Sequence, residues 1–165
     1  ITSHLLEQGR TLPGFIGDIG YAQSNRERYE GFCQALTDAG KKVDSSLCLT
    51  TPLGIDTYRE EIDTFLSSLS RMPDAFVCAS DYVACILMQL LEKRGLRVPE
   101  DVAVSGFDNN TEDLLAEHLT TVQVFNEELG ARLALQILYR IKYPNTPHEI
   151  TYLGTNVLYR DSTGD

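Results

Sequence analysis

Short apolar runs alternate with segments of helical periodicity along the whole sequence, and this alternation limits the fold more than any other feature. A repeated strand–helix pattern favours an α/β fold with a parallel sheet and helices on both faces, because parallel strands need long crossover connections. The 165 residues, 42% of them hydrophobic, suit one ordinary domain or two small lobes. The predicted strands are residues 14–17, 43–49, 73–79, 102–105, 119–124 and 150–159.

Polar residues that can cap a helix precede the longer helical segments. Ser24 and Glu27 match the capping box, in which both side chains accept backbone N–H groups at the helix start. Glycines, which tolerate the left-handed conformation at a helix end, follow two of these segments. The other predicted caps are Asp56, Ser80 or Asp81, and Asn126, and the predicted helix ends are Gly40 and Gly95.

The longest helical segment follows Asn126 and carries two acids in its first turn, where the helix dipole favours negative charge. Its apolar residues recur three and four positions apart, which predicts one apolar stripe along the helix. The stripe consists of Leu129, Leu133, Ile137, Leu138 and Ile141. Shorter helices are predicted near residues 2–8 and 111–116.

The formal net charge of −10 argues against a nucleic-acid surface on this chain, because phosphate binding needs clustered Lys and Arg. No apolar run approaches the roughly 20 residues of a membrane helix. The first residues lack the pattern of a secretory signal and also lack an initiator Met. We therefore expect a fragment of a longer protein, with no membrane partner.

Cysteine and histidine are placed unlike the ligands of a metal site. The four cysteines form no C-x-x-C pair, and Cys78 and Cys85 lie inside apolar runs. We interpret them as free thiols, which suits a reducing cytoplasm. The three histidines are far apart and have no ligand spacing.

Motifs of catalysis are scarce. The sequence has no G-x-S-x-G elbow, no Walker loop and no H-E-x-x-H. The glycines of residues 14–20 follow G-x-x-G-x-x-G, which differs from the dinucleotide fingerprint G-x-G-x-x-G. Among the 24 acids, only Asp81 and Asp108 stand out as a pair, since each follows a strand. We predict neither an enzyme nor a cofactor. An α/β enzyme is kept as an alternative function.

Polar side chains follow two of the predicted buried strands. Ser80 and Asp81 come directly after residues 75–79, and Asp108 follows residues 102–105 in the stretch VSGFDNN. Open α/β sheets bind ligands beyond the carboxyl ends of their strands, so we expect these side chains to line a site. The alternatives are a helix cap for Ser80 or Asp81 and an ordinary turn for the Gly, Asp and Asn residues.

Arg28 is the most informative single charge, because it lies near the start of a helix, where a cation is least favoured. Its guanidinium can hold two oxygens at once, which suits a donor aimed into a cleft. The alternative is a solvated Arg that pairs with Glu27 or Glu30. Acceptors and a bidentate donor, without a base–nucleophile pair, fit a polar, hydroxyl-rich or heterocyclic small molecule.

Five ordered stretches resemble the effector-binding core of LacI/GalR-type transcriptional regulators, which share the periplasmic-binding-protein type I fold. HLLEQGRTLPGFIGD resembles a helix–Gly-His–strand passage of the family, with Arg10 where His is usual. SNRERYEGFCQALTDAG resembles S..R..G(F/Y)..AL...G, with Arg28 and Gly31 in register. The other three are PDAFVCASDYVACILMQLLEKRGLRVPEDVAVSGFDN, LTTVQ and YRDST.

The resemblance implies a two-lobed sensor that closes on a sugar or nucleobase-like effector. It implies effector contacts at Arg28 and Asp108, and at Ser80, where the family commonly has Asn or Asp. Asn126 falls near a position where an aromatic residue often packs on the ligand. With Asp81 added from its place after a strand, the predicted effector-binding residues are Arg28, Ser80, Asp81, Asp108 and Asn126.

The resemblance also divides the chain. It implies a partial N-terminal lobe at residues 1–20 and 125–143, and a C-terminal effector-binding lobe at residues 21–124 and 144–165. The helix-turn-helix domain of the family is absent from the sequence, so operator DNA would be bound by a preceding domain. Helix 82–94 and loop 113–118 resemble segments that contribute to homodimers.

The predicted function is therefore the small-molecule sensing domain of a bacterial transcriptional regulator, located in the cytoplasm. The alternative is the solute-binding protein of a sugar ABC transporter, which shares the fold. The LTTVQ and YRDST motifs resemble the regulators, so they favour the first interpretation.

Overall fold

The structure, a computed structural model, describes residues 1–54, 56–110 and 114–164 and alternates helices with strands. Two 3-10 turns, at Ser45–Leu47 and Leu114–His118, join longer elements, and a third, at Asp161–Thr163, follows the last strand. The helices and strands in chain order are α1 (Thr2–Glu7), β1 (Pro13–Ile16), α2 (Gln23–Asp38), β2 (Cys48–Leu49), α3 (Tyr58–Ser68), β3 (Ala75–Cys78), α4 (Asp81–Lys93), β4 (Ala103–Ser105), β5 (Thr121–Gln123), α5 (Asn126–Lys142) and β6 (Asn156–Leu158).

Four parallel strands form one sheet in the order β2-β1-β3-β4. In the register, Ile16 lies opposite Leu49 on one side and Cys78 on the other. The chain moves outward from β1 to β2 and then returns past β1 to β3, so the strand order reverses between β1 and β3. Such a switch point opens a crevice at the carboxyl ends of the strands. The predicted parallel sheet is confirmed.

The sheet is buried on both faces, which explains why its strands read as continuous apolar runs. On one face Phe76 and Val104 pack in a cluster with residues of α3 and α4, such as Ile62 and Leu87. On the other face Phe15 packs against α2, while α1 covers the ends of β3 and β4. The predicted helix layers on both faces are confirmed.

Helix starts follow the predicted caps in only one of four cases. Ser80 is the N-cap of α4, with its side chain accepting the Val83 N–H, as predicted. The cap predictions for Ser24, Asp56 and Asn126 are wrong: the N-caps are Ala22, Thr57 and Phe125, and none of these makes a side-chain cap hydrogen bond.

The loops before these helices explain the differences. The Asp18 carbonyl accepts from the Asn25 side chain, and the Asp18 carboxylate accepts the Gly20 and Tyr21 N–H groups. Asp18 thus holds both the loop before α2 and the first turn of that helix. The hydroxyl of Thr57 donates to Glu61 one turn later instead of capping. The first turns of α2 and α3 are thus held by side-chain contacts other than the predicted caps.

Several predicted elements are shorter than expected, among them the last strand, which was predicted at residues 150–159 and spans Asn156–Leu158. Of the predicted strand at residues 43–49 only Cys48–Leu49 pairs with a neighbour, because Asp44 accepts the Ser46 N–H and folds Ser45–Leu47 into a 3-10 turn. The predicted helix at residues 111–116 falls partly on residues 111–113, which lie outside the described residues, and Leu114–His118 forms a 3-10 turn.

A second, two-stranded sheet lies beside β4. Strands β5 and β6 pair antiparallel, and single bridges join Ser105 to Thr120 and Asp108 to Gln123. Between these two strands the chain forms α5, in which no residue is buried. The stripe of the sequence analysis is present but exposed, with Leu129 at 46% and Ile141 at 72%.

The predicted division into two lobes can be compared with the strand pairing at residues 1–20. This segment is not set apart, because β1 pairs with both β2 and β3 in the same sheet as residues 21–110. The assignment of residues 125–143 to another lobe stays a prediction.

All four cysteines are free thiols, as predicted. Cys78 and Cys85 are buried in the sheet core, whereas Cys33 and Cys48 are half-buried. Burial raises the pKa of the Cys48 thiol to about 11, so this group stays protonated and unreactive at neutral pH.

No helix within the described ranges combines the length and the apolar character needed to span a bilayer.

Candidate functional site

Four of the five predicted site residues lie together at the carboxyl ends of the sheet strands. Ser80 and Asp81 follow β3, and Asp108 follows β4. Arg28 reaches this edge from α2, where its Nη2 atom lies 3.2 Å from Oδ1 of Asp108. The helix α2 passes over the switch point because β1 feeds it there, so the arginine and the strand ends meet across one crevice.

The Arg28 guanidinium is held from three sides. It donates to the Ala79 carbonyl and to Asp108, and it stacks 3.6 Å from the centre of the Phe107 ring. Burial lowers the pKa of Arg28, while the charge of Asp108 acts in the opposite direction. The side chain is only 18% exposed, so the alternative of a solvated arginine is not what the structure shows.

Asp108 lies in a loop with unusual backbone geometry. Its φ angle is 107° and that of Asn109 is 53°, both in the region that glycine favours. The Asp108 N–H donates to the Val122 carbonyl, which ties the loop to β5. Burial raises the pKa of the Asp108 carboxyl, and Arg28 acts against this rise. With 43% of the side chain exposed, the carboxylate can accept further hydrogen bonds.

Ser80 and Asp81 divide two tasks between them. The Ser80 oxygen accepts the Val83 N–H at 3.4 Å and caps α4. Asp81 is buried, and its carboxylate accepts from the Thr121 hydroxyl at 2.6 Å and from the Asn110 N–H at 2.7 Å. Burial raises the pKa of Asp81, although these hydrogen bonds oppose the rise. Both residues are at the site edge, but Asp81 faces protein donors.

Asn126 is not brought into this group. It is the first residue of α5 and is exposed. Among the described residues, its side chain makes no hydrogen bond to the other four predicted site residues. A role for Asn126 in effector binding stays a prediction.

Two residues of the site were missed by the sequence analysis. Asp18, which follows β1 as Asp108 follows β4, fits the same strand-end rule, but its carboxylate accepts from the Gly20 and Tyr21 N–H groups of its own loop. Phe107, which stacks on Arg28, lies in the quoted stretch VSGFDNN but carries no signal of its own. Thr121 is buried in β5, and no local pattern distinguishes it from other strand threonines.

Other places in the described chain fit a site less well. A cavity of about 730 Å³ lies between α5 and residues 146–151, lined by Arg132, Gln136 and Tyr139 among others, and it contains none of the five predicted residues. Within the described ranges no group of three or more His, Cys, Asp or Glu side chains is arranged to hold a metal ion. The strand-end crevice therefore stays the candidate site.

Comparison with known proteins identifies the family. Residues 2–163 match the model of the periplasmic binding protein-like domain. The HTH-type transcriptional regulator DegA of Bacillus subtilis is 35% identical over 130 residues, which cover 78% of this chain. The chain belongs to the LacI/GalR family of transcriptional regulators. The predicted family and the predicted periplasmic-binding-protein type I fold are thus confirmed.

Solved LacI-family structures support the same fold. A LacI-family regulator from Sanguibacter keddieii superimposes with a TM-score of 0.85 at 28% identity, over 99% of this chain and 62% of its own. The regulator CelR, in complex with cellobiose, gives a TM-score of 0.83 at 29% identity, over 98% of this chain and 49% of its own. These relatives are transcriptional regulators, not enzymes.

The chain is shorter than the relatives it matches. The aligned residues cover 38% of DegA and about half of the CelR chain. LacI-family regulators carry DNA-binding and effector-binding functions on longer chains, so the functions of a whole regulator are proposals for this one.

Proposed function

We propose that this chain is the effector-sensing part of a LacI/GalR-type regulator and that its effector binds in the strand-end crevice. The carrying observation is the Arg28–Asp108 pair, which places a bidentate donor and a half-exposed acceptor 3.2 Å apart at the switch point of the sheet. Ser80 lies beside this pair, and Phe107 adds an aromatic face under the guanidinium.

The chemistry of the crevice suits a sugar. Neighbouring hydroxyls of a sugar both donate and accept, so they can bridge a carboxylate and a guanidinium at once. The complex of CelR with cellobiose supports this choice. A nucleobase-like ring is the second candidate, because it could occupy a site that offers a planar donor fork and an aromatic ring.

Regulation would follow from a shift between two lobe arrangements. An effector that binds one arrangement more tightly favours it, and the difference in affinity sets the change in DNA binding. In this proposal operator DNA is bound by a separate helix-turn-helix domain, in keeping with the net charge of −10 on this chain. The exposed stripe of α5 would pack on the other lobe, as the assignment of residues 125–143 predicts.

A homodimer is the second partner in this proposal. On α4, Tyr82 is 58% exposed and packs edge-on against Tyr58 at a centroid distance of 5.6 Å. Exposed aromatic residues of this kind are enriched in protein interfaces. The other predicted segment, residues 113–118, is described only from residue 114 onward.

We also propose a protein class and a cellular location for this chain. A regulator needs no bond-breaking step, so we propose that the chain is not an enzyme. The free thiols and the regulator relatives favour the cytoplasm. The comparisons do not favour the alternative of a transporter's solute-binding protein.

Substitution of the pair in the full-length regulator tests the proposal. A thermal-shift screen of sugars and nucleobases that includes ribose and cellobiose first identifies the effector. Arg28→Ala and Asp108→Ala should each abolish the effector response in an operator-binding titration while operator affinity without effector is kept. The matched controls are Arg97→Ala and Asp101→Ala, which break an ion pair before the start of β4, at the end of that strand opposite to Asp108. A normal effector response in both crevice variants would overturn the site assignment.

A further inference from the structure

Asp81 is the most deeply buried carboxylate of the crevice. The residue is only 3% exposed, and both of its oxygens accept hydrogen bonds from protein groups, the Thr121 hydroxyl and the Asn110 N–H. Its own N–H donates to the Phe107 carbonyl at 2.8 Å. Because the residue is buried, its carboxylate is hardly accessible to a ligand.

The groups that Asp81 binds belong to two other elements. Asn110 follows Asp108 in the loop after β4, and Thr121 begins β5. The Thr121 hydroxyl also accepts the Asn109 N–H at 3.3 Å, so one hydroxyl bridges the Asp81 carboxylate and the loop. Asp81 therefore fastens the start of α4 to the Asp108 loop and to β5 at the same time.

The loop needs such fastening, because its backbone is strained. Asp108 and Asn109 have consecutive positive φ angles, which non-glycine residues hold only where the surroundings enforce them. Backbone bonds from Gly106 to the Thr120 carbonyl and from Asp108 to the Val122 carbonyl join the loop to β5 along one edge. The Asp81 carboxylate adds a further contact, to the Asn110 N–H.

The sequence makes room for this carboxylate at Gly106. A Cβ atom on that residue would lie 2.2 Å from Oδ1 of Asp81, a distance that no side chain tolerates. The glycine that follows β4 is thus required by the close approach of Asp81. This steric observation is independent of the hydrogen bonds.

We propose that Asp81 is a positioning residue, which does not touch the effector but holds Asp108 at Arg28 and links that pair to β5, the strand through which the chain leaves the main sheet. This inference rests on the proposed function for the meaning of the pair, and it revises the expectation that Asp81 binds the effector directly. A change at Arg28 and Asp108 would reach β5 directly through the Asp108 N–H, and would reach α4 through Asp81.

Thr121→Val in the 165-residue chain tests the link, because it removes the hydroxyl with almost no change in side-chain shape and leaves the charge of Asp81 in place. Without the hydroxyl, the loop is expected to loosen and Asp108 to move away from Arg28. The Asp108 pKa, which burial raises and Arg28 lowers, should therefore shift in a carbon-13 NMR titration of the carboxyl groups. The Asn110 N–H should exchange with solvent roughly fivefold faster, because the Asp81 carboxylate that accepts it is no longer held by the Thr121 hydroxyl.

Two further variants separate positioning from a general loss of stability. Thr121→Ser keeps a hydroxyl and should restore the Asp108 pKa and the Asn110 exchange rate. Thr37→Val is the matched control, since the Thr37 hydroxyl donates only to the Cys33 carbonyl on the surface of α2, and it should change neither value. An unaltered Asp108 pKa and an unaltered Asn110 exchange rate in Thr121→Val would overturn the proposal.

Asp81→Asn provides a second route if Thr121→Val does not fold. The neutral amide keeps the shape of the carboxylate but accepts a weaker hydrogen bond from the Asn110 N–H, so this N–H should again exchange faster than in the unchanged chain. Equal exchange would contradict the role of Asp81. Both measurements need no ligand, so their failure removes the positioning role alone, whereas failure of the effector titration removes the proposed function.

Discussion

The four-stranded sheet and α5 use similar amounts of apolar sequence in opposite ways. Phe76 and Leu87 are fully buried between the sheet and its helices, whereas Leu133 and Leu138 of α5 are 56% and 63% exposed. Both regions show regular apolar spacing, so the spacing alone does not tell which face is covered. The comparison teaches that the sheet carries the stability of this chain, while α5 offers a surface that we propose packs on another lobe.

The largest expected effect concerns the buried core of the four-stranded sheet. Phe76→Ala leaves a cavity between β3 and the helices α3 and α4, so it should lower the free energy of unfolding by about 3–5 kcal/mol. Urea unfolding followed by circular dichroism measures the loss. A loss below about 1 kcal/mol would mean that the sheet core is not the source of stability.

A helix cap within the sheet region gives an intermediate effect. Ser80→Ala removes the side-chain acceptor of the Val83 N–H, and loss of an N-cap costs about 1 kcal/mol. Ser46→Ala, on an exposed turn, is the control and should change the unfolding free energy much less. Equal effects of the two substitutions would show that Ser80 does not cap α4 in solution.

Two carboxylates should give opposite dependences of stability on pH. Burial raises the folded-state pKa of Asp81, so its ionisation costs stability, and this cost grows as pH rises above the unfolded value near 4. The pKa of the exposed Asp101 is lowered to about 2 by Arg97, so its contribution is present above pH 4 and is lost as pH falls toward 2.

Unfolding curves between pH 2 and pH 7 measure these dependences. Asp81→Asn should reduce the loss of stability as pH rises from 4, and Asp101→Asn should reduce the loss as pH falls below 4. If Asp81→Asn left the curve above pH 4 unchanged, the carboxyl would not be buried as the structure shows.

The smallest expected effect concerns α5 and sharpens the comparison most. In this chain Leu138→Ala should change the unfolding free energy by no more than about 0.5 kcal/mol, because the side chain is mostly exposed. In a longer protein that includes the other lobe, the same substitution should cost about 2 kcal/mol or more, as for a buried leucine. A small cost in both proteins would remove residues 125–143 from the lobe interface.

The sequence predicted the candidate site better than the helix starts. Arg28, Ser80, Asp81 and Asp108 meet as expected, because a parallel sheet brings the ends of its strands to one edge whatever the loops do. The caps predicted at Ser24 and Asp56 are wrong, because a cap depends on one or two local hydrogen bonds and the helices begin after the neighbouring residues Ala22 and Thr57 instead.

The order of strands and helices determined, by itself, that this protein forms a parallel sheet with a polar crevice at its carboxyl edge. The tertiary structure alone decided which carboxylate faces the crevice and which is enclosed by protein. Asp81 and Asp108 follow their strands in the same way, but Thr121 and Asn110 surround the first, whereas Arg28 reaches the second from α2. These partners are distant in sequence, and only chain packing determines which of them arrive at each carboxylate.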